Sequence, residues 1–262
     1  MTKDVQRSIV FVTGAFLGNN CWDQWMTFFE NEGYLCIAPP WPHKDAPPEE
    51  LRNRPANDPL ALNTIRFLTD YFAAIVSALP EKPILIGHSA GGLIVQSLLQ
   101  RDLGVAGVAI HSFAPSGVNT FRLSCIKMIW EMSMLFTSGQ ETFLISFRKW
   151  KYMITNGMIC ARQKQLYYQY AIPESKRVIR QTFRSLTKID FKRPHVPLLL
   201  TSGTKDKFIP CSLNYKNYRR YTAAHSFADY KEFKEHTHLV FGNPSWKREA
   251  DFILYWLRGI NN

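Results

Sequence analysis

Alternation between short apolar runs and helical periodicity constrains this chain most. Five runs, at 8–13 (SIVFVT), 34–38 (YLCIA), 82–87 (KPILIG), 105–112 (VAGVAIHS) and 196–203 (VPLLLTSG), are short and nearly continuously apolar, and a more polar one follows at 229–233 (DYKEF). Such runs fit strands buried on both faces, with the polar one at a sheet edge. Helical patterns lie between most of them, at 22–33, 60–79 and 91–102, and another closes the chain at 246–259. Strands alternating with helices imply right-handed crossovers and a mainly parallel sheet with helices on both faces, an α/β fold. The chain has 262 residues, enough for one such domain with an insertion.

The alternation stops at Pro115 and resumes near Val196. The interval carries helix-like stretches rich in aromatic and Met side chains, among them Trp130, Met132, Met134, Phe143, Phe147, Trp150, Met153, Tyr167, Tyr168 and Tyr170. We expect a core of 1–115 and 195–262, with 116–194 inserted as a helical layer. Most of the net charge of +11 is concentrated there: residues 116–194 contain fourteen Lys and Arg against four acids. Charge of this kind is either a set of solvated helix faces or a positive surface that attracts anionic substrates, carriers or membrane headgroups. Nothing in the pattern suggests a nucleic-acid partner. No apolar run reaches the length of a membrane span, and the N-terminal stretch lacks the signature of a secretory signal. Five scattered cysteines without CxxC spacing fit reduced thiols, hence a cytoplasmic protein.

The segment 84–99 (ILIGHSAGGLIVQSLL) poses the chemical question. An apolar run ends at Gly87, Ser89 follows, then Gly91 and Gly92, and a helical pattern begins. A strand that turns this sharply into a helix forces the central residue into a strained conformation and requires its neighbours to lack bulk. Ser89 is thereby held at a helix N-terminus, where free N–H groups favour developing negative charge. A Ser hydroxyl needs a base, and the base needs an orienting acid. Asp206, just past the run 196–203, sits on the same sheet edge. Of seven histidines, His236 and His238 lie beyond the last strand and before the closing helix, whereas the side chain of His88 should point away from Ser89. No cluster of His and Cys has metal-ligand spacing, and no cofactor is implied.

These residues resemble the α/β-hydrolase superfamily over nearly the whole chain. Ser89, Asp206 and a late His follow the family's nucleophile, acid, base order. The stretch 8–16 (SIVFVTGAF) resembles the first strand and its oxyanion loop, 203–210 (GTKDKFIP) the acid turn, and 236–257 the end segment of many bacterial members. In those members the catalytic His stands six residues before a Pro and eight before a Trp. His238 has Pro244 and Trp246 at those spacings, so the resemblance selects His238 over His236. The segment 166–183 (LYYQYAIPESKRVIRQTF) is similar to a cap segment of uncharacterised bacterial members. By resemblance, the oxyanion donors are the backbone N–H groups of Ala90 and Ala15, with Phe16 as the second choice in the first loop. The implied activity is hydrolysis of a carboxylic ester, lactone or thioester with an apolar moiety, through an acyl-enzyme and without metal or cofactor. Thr13 departs from the pattern, since the family usually has His before this Gly. Hydroxynitrile lyases on the same fold carry a Thr one position later. Lyase or cofactor-free haloperoxidase chemistry is therefore the alternative, and a non-catalytic binding member is a third.

Overall fold

The computed structural model describes residues 7–118, 141–183 and 187–260. β1 (Ser8–Val12), α1 (Asp23–Asn31) and β2 (Leu35–Ile37) come first, then α2 (Pro48–Asn53) inside the Pro-rich loop. α3 (Ile65–Ser77), β3 (Ile84–His88), α4 (Ala90–Leu99) and β4 (Ala106–Ile110) complete the first half. β5 (Thr142–Phe143), α5 (Phe147–Met153), α6 (Cys160–Tyr170), β6 (Glu174–Ser175) and α7 (Lys176–Phe183) follow. β7 (Leu198–Gly203), α8 (Cys211–Tyr218), β8 (Ala228–Phe233) and α9 (Trp246–Gly259) finish the fold. The six expected strands all form, and α9 spans the expected 246–259.

Two local expectations change. The helical pattern at 60–79 is divided: Pro59–Leu62 forms a 3₁₀ turn, and α3 starts only where the Thr64 side chain accepts the Phe67 N–H at 3.1 Å. An N-cap hydroxyl satisfies a donor that the helix leaves open, and this fixes the start. The interval after Pro115, expected to hold no strand, contains the short antiparallel ladder of β5 and β6, pairing Thr142 with Ser175 and Phe143 with Glu174. Two-residue strands have no periodicity to betray them. Trp130, Met132 and Met134 lie outside the described residues.

The sheet is parallel throughout, in the order β2-β1-β3-β4-β7-β8. The chain moves from β1 outward to β2, then returns across β1 to β3 and continues the other way. Right-handed crossovers therefore place α1 and α4 on opposite faces. Ligands in open α/β sheets bind beyond the strand C-termini where this reversal occurs, here between β1 and β3. One face is closed by a cluster of rings: Phe11 and Trp22 centroids lie 4.7 Å apart, as do Trp22 and Phe241, and Trp25 sits 5.6 Å from Trp22. Burying side chains of this size contributes on the order of 1.5–3 kcal/mol each, which holds the ends of β1 and β3 in place.

Candidate active site

β3 passes into α4 through Ser89, whose φ of 57° and ψ of −117° lie outside the ordinary regions for a residue with a Cβ. Such strain is of order 1–3 kcal/mol and persists only where the surroundings over-determine it. The flanking glycines explain how. A Cβ on Gly91 would run into the Val12 and Thr13 carbonyl oxygens, and one on Gly87 into the Gly91 carbonyl. Strand, turn and helix pass too closely for any side chain. The Ser89 N–H donates to the Ile110 carbonyl at 2.9 Å, and its carbonyl accepts the Phe113 N–H at 3.2 Å, so the turn is also tied to β4 and the loop after it.

His238 Nε2 lies 3.0 Å from Ser89 Oγ, and His238 Nδ1 lies 2.8 Å from Asp206 Oδ2. All three residues are buried. The other carboxylate oxygen, Asp206 Oδ1, accepts the Phe208 and Ile209 N–H groups at 2.8 and 2.7 Å. The turn after β7 thus fixes the carboxylate and leaves one oxygen for the imidazole. Burial alone would raise the Asp206 carboxyl, but His238 and His111 outweigh it and hold the group well below the usual carboxylate range. An ionised Asp206 accepts the Nδ1 proton, which leaves the Nε2 lone pair facing the Ser89 hydroxyl.

The acid is shared with groups that sequence reasoning passed over. His111, at the end of β4, places Nδ1 3.4 Å from Asp206 Oδ2 and Nε2 3.7 Å from Glu249 Oε1. These are long for hydrogen bonds, so the interaction is chiefly one of charge. Glu249, buried on α9, also accepts the Thr201 hydroxyl at 2.7 Å and faces His236 Nδ1 at 3.1 Å. His236 therefore belongs to Glu249 and His238 to Asp206. Burial favours a neutral His111, but Glu249 and Asp206 outweigh it and raise its pKa. Burial would raise Glu249, but His111 and His236 bring it below its ordinary value. His88, next to Ser89 in sequence, directs its ring to His238: its Nε2 bonds the His238 carbonyl at 2.9 Å, with ring centroids 4.8 Å apart. Burial and the neighbouring His238 and His111 push its pKa well down, so it stays neutral. A buried Glu in the first turn of an amphipathic helix was the one available signal of this network.

The first loop runs beside the elbow. A Cβ on Gly14 would stand 2.9 Å from both Ser89 Cβ and His88 Nδ1. Thr13 Oγ1 accepts the Trp22 indole N–H at 3.1 Å, which turns its hydroxyl into the aromatic core. Ala90 begins α4 and Ala15 follows Gly14, both buried. Phe16 has φ of 65°, and its N–H is donated to the Glu174 carboxylate at 3.1 Å. Segment 154–183 reaches all three loops. The Leu239 N–H donates to the Ile154 carbonyl at 3.0 Å, Asn156 Nδ2 to the Lys205 carbonyl at 2.8 Å, and Phe183 lies 5.9 Å from Phe208, whose ring meets His238 at 4.8 Å. Among the described residues, His111, Asp206 and His238 offer ligand atoms within 4.8 Å of one another. They could hold a metal ion only by surrendering the His238–Asp206 hydrogen bond.

A family model described as Alpha/beta hydrolase family matches residues 9–247. The chain belongs to the α/β-hydrolase family. Solved structures of α/β-hydrolase proteins share its fold at low identity. A monoacylglycerol lipase from Paleococcus ferrophilus matches with a TM-score of 0.69 at 19% identity, covering 97% of this chain and 94% of that one. A methylesterase from Arabidopsis matches with 0.65 at 16%, covering 96% and 99%. Tomato methylketone synthase I, bound to 2-tridecanone, matches with 0.69 at 14%, covering 98% and 99%. No curated protein sequence matches this α/β-hydrolase chain significantly.

Proposed function

We propose that this α/β-hydrolase cleaves a carboxylic ester, lactone or thioester through an acyl-enzyme on Ser89. The observation that carries the reading is one imidazole with Nε2 3.0 Å from the Ser89 hydroxyl and Nδ1 2.8 Å from Asp206. His238 takes the Ser89 proton as the oxygen attacks the acyl carbon. Asp206 keeps the imidazole oriented and stabilises its charged form. The Ala90 and Ala15 N–H groups receive the oxyanion, since the Phe16 N–H is already bonded to Glu174. His238 then returns the proton to the leaving alcohol or thiol. It next activates a water that releases the acid and regenerates Ser89.

Within the insertion, the described residues 141–183 act as a cap over Ser89 in this reading. The contacts of Ile154, Asn156 and Phe183 with the loops bearing His238 and Asp206 support that placement. Phe113, Phe183 and Phe208 stand as mutually near-perpendicular rings, with Phe208 against His238, an apolar cluster suited to an apolar acyl or alcohol group. The lipase and methylesterase that share the fold act on esters by name, in keeping with this reading. Lyase chemistry gains nothing from Thr13, whose hydroxyl is turned to Trp22.

The test is turnover of p-nitrophenyl esters of graded chain length, with mass-spectrometric detection of a fluorophosphonate adduct. Wild-type protein should turn over at least one ester and carry the adduct on Ser89. Ser89→Ala should lose both while keeping its melting temperature. Turnover that survives in Ser89→Ala would overturn the assignment.

A further inference from the structure

We infer that Glu174, paired with Lys44, is a positioning residue that sets the oxyanion loop, an inference that rests on the hydrolase reading above. Glu174 and Lys44 are 0% and 2% exposed. Lys44 Nζ lies 2.6 Å from Glu174 Oε2, the same oxygen that accepts the Phe16 N–H at 3.1 Å, while Oε1 accepts the Ser175 N–H at 2.8 Å. The Phe16 carbonyl is taken as well, by the Ile172 N–H at 3.0 Å. An isolated bridge joins Leu17 to Ala171, and the Gly18 N–H donates to the Tyr170 carbonyl at 3.3 Å. The loop beside Ser89 is thus stapled residue by residue to segment 170–174, and the side chain that holds Phe16 in the staple is Glu174.

The need for a staple follows from the backbone. Phe16 holds φ of 65°, a conformation that a bulky residue keeps only under external constraint. With the Phe16 N–H committed to Glu174, the Ala15 N–H remains as the loop's donor to the oxyanion. Thr13, where the family usually has His, is bonded to Trp22 and does not brace this loop.

The pairing with Lys44 follows from electrostatics. A bare carboxylate near a developing oxyanion would oppose it, and a bare buried carboxylate would take up a proton. Lys44 cancels the charge at 2.6 Å and is itself held over the Trp41 ring at 4.0 Å. Burial lowers the Lys44 pKa and Glu174 partly offsets the change. Buried ion pairs are poor sources of stability compared with apolar packing of the same volume. The pair is therefore better explained by the geometry it imposes than by the stability it contributes.

Replacing the pair separates the two explanations. Lys44→Met/Glu174→Leu fills the site with apolar volume and removes the acceptor for Phe16. Lys44→Met/Glu174→Gln is also uncharged but keeps an oxygen for the Phe16 N–H. With a p-nitrophenyl ester, the first variant should lose about 10- to 100-fold in kcat with little change in KM, as expected for a displaced oxyanion donor. Its affinity for a boronic acid that mimics the tetrahedral intermediate should fall in step. The second variant should stay within about threefold of wild type. Glu174→Asp keeps the charge but retreats one methylene from Phe16, and it should show the same loss in kcat even if the Leu variant does not fold. Equal kcat in the Leu and Gln double variants, or wild-type kcat in Glu174→Asp, would overturn the inference while leaving the hydrolase reading intact. A wild-type protein that neither turns over esters nor reacts with a fluorophosphonate at Ser89 would overturn both.

Discussion

His111 and His238 approach the same oxygen of Asp206, at 3.4 and 2.8 Å respectively. Asp206 is thereby shared between two imidazoles, one facing Ser89 and one facing Glu249. Positive charge on His111 competes with His238 for Asp206 and repels a protonated His238. His111→Gln should therefore leave Asp206 to His238 alone and favour the charged imidazole beside it. The acid limb of kcat/KM for ester turnover should move to higher pH, by a few tenths of a unit up to about one unit. An unchanged limb would show that His111 carries no charge that the base can sense.

The buried histidines also predict the shape of the stability curve. His88 has a depressed folded pKa, so the unfolded chain binds more protons below about pH 6.5 and stability falls as pH drops through that region. The depressed carboxyls of Asp206 and Glu249 contribute stability above their unfolded values and lose it further into acid. His111 has a raised folded pKa. Its contribution is complete below about pH 6.5 and is lost as pH rises through the folded value. Melting temperature should peak near pH 6–7. His88→Gln should flatten the acid arm just below the peak, and His111→Gln the alkaline arm. Arms that respond to the opposite variants would reverse the assignment of the two charges.

Gly91→Ala tests the elbow as architecture. Its Cβ would meet two backbone carbonyls of the first loop, which cannot rotate away as a side chain would. Overpacking of this kind costs about 1–3 kcal/mol, and backbone contact points to the upper end. A melting temperature lower by about 6–12 °C is expected for a chain of this size. Gly33, with φ of 89° and open space around it, is the control: an Ala there meets strain without collision and should lose less.

What could be read in advance divides along physical lines. The strands were legible because burial on both faces demands continuous apolar runs, and Ser89 because the turn from β3 to α4 demands glycines at fixed places. Asp206 was singled out because it follows a strand end, and His236 and His238 because both follow the last strand; only the family resemblance favoured His238 of the two. Phe16 was named as a possible loop donor, yet its N–H goes to Glu174, a residue 158 positions away. No local pattern encodes such a contact. His111, Glu249 and Lys44 were likewise hidden. Each is an ordinary polar residue in sequence and becomes informative only when the fold buries it beside an opposite charge.

The pair His236 and His238 gives the sharpest comparison, because the two imidazoles are two residues apart in sequence and differ in partner. His238 Nε2 faces Ser89, whereas His236 Nδ1 faces Glu249 at 3.1 Å and its ring stacks on Phe233 at 5.0 Å. His238→Ala should match Ser89→Ala in loss of ester turnover, since nucleophile and base act as a unit and removing either takes away most of the catalysis. His236→Ala should retain kcat within about tenfold. It should instead lower the melting temperature, because the buried Glu249 carboxylate would lose one of its hydrogen-bond partners, and a hydrogen bond to a charged group contributes about 1.5–3 kcal/mol. The two effects are measured on the same preparations by steady-state kinetics and thermal unfolding. Turnover lost with His236 and kept without His238 would transfer the role of base to His236.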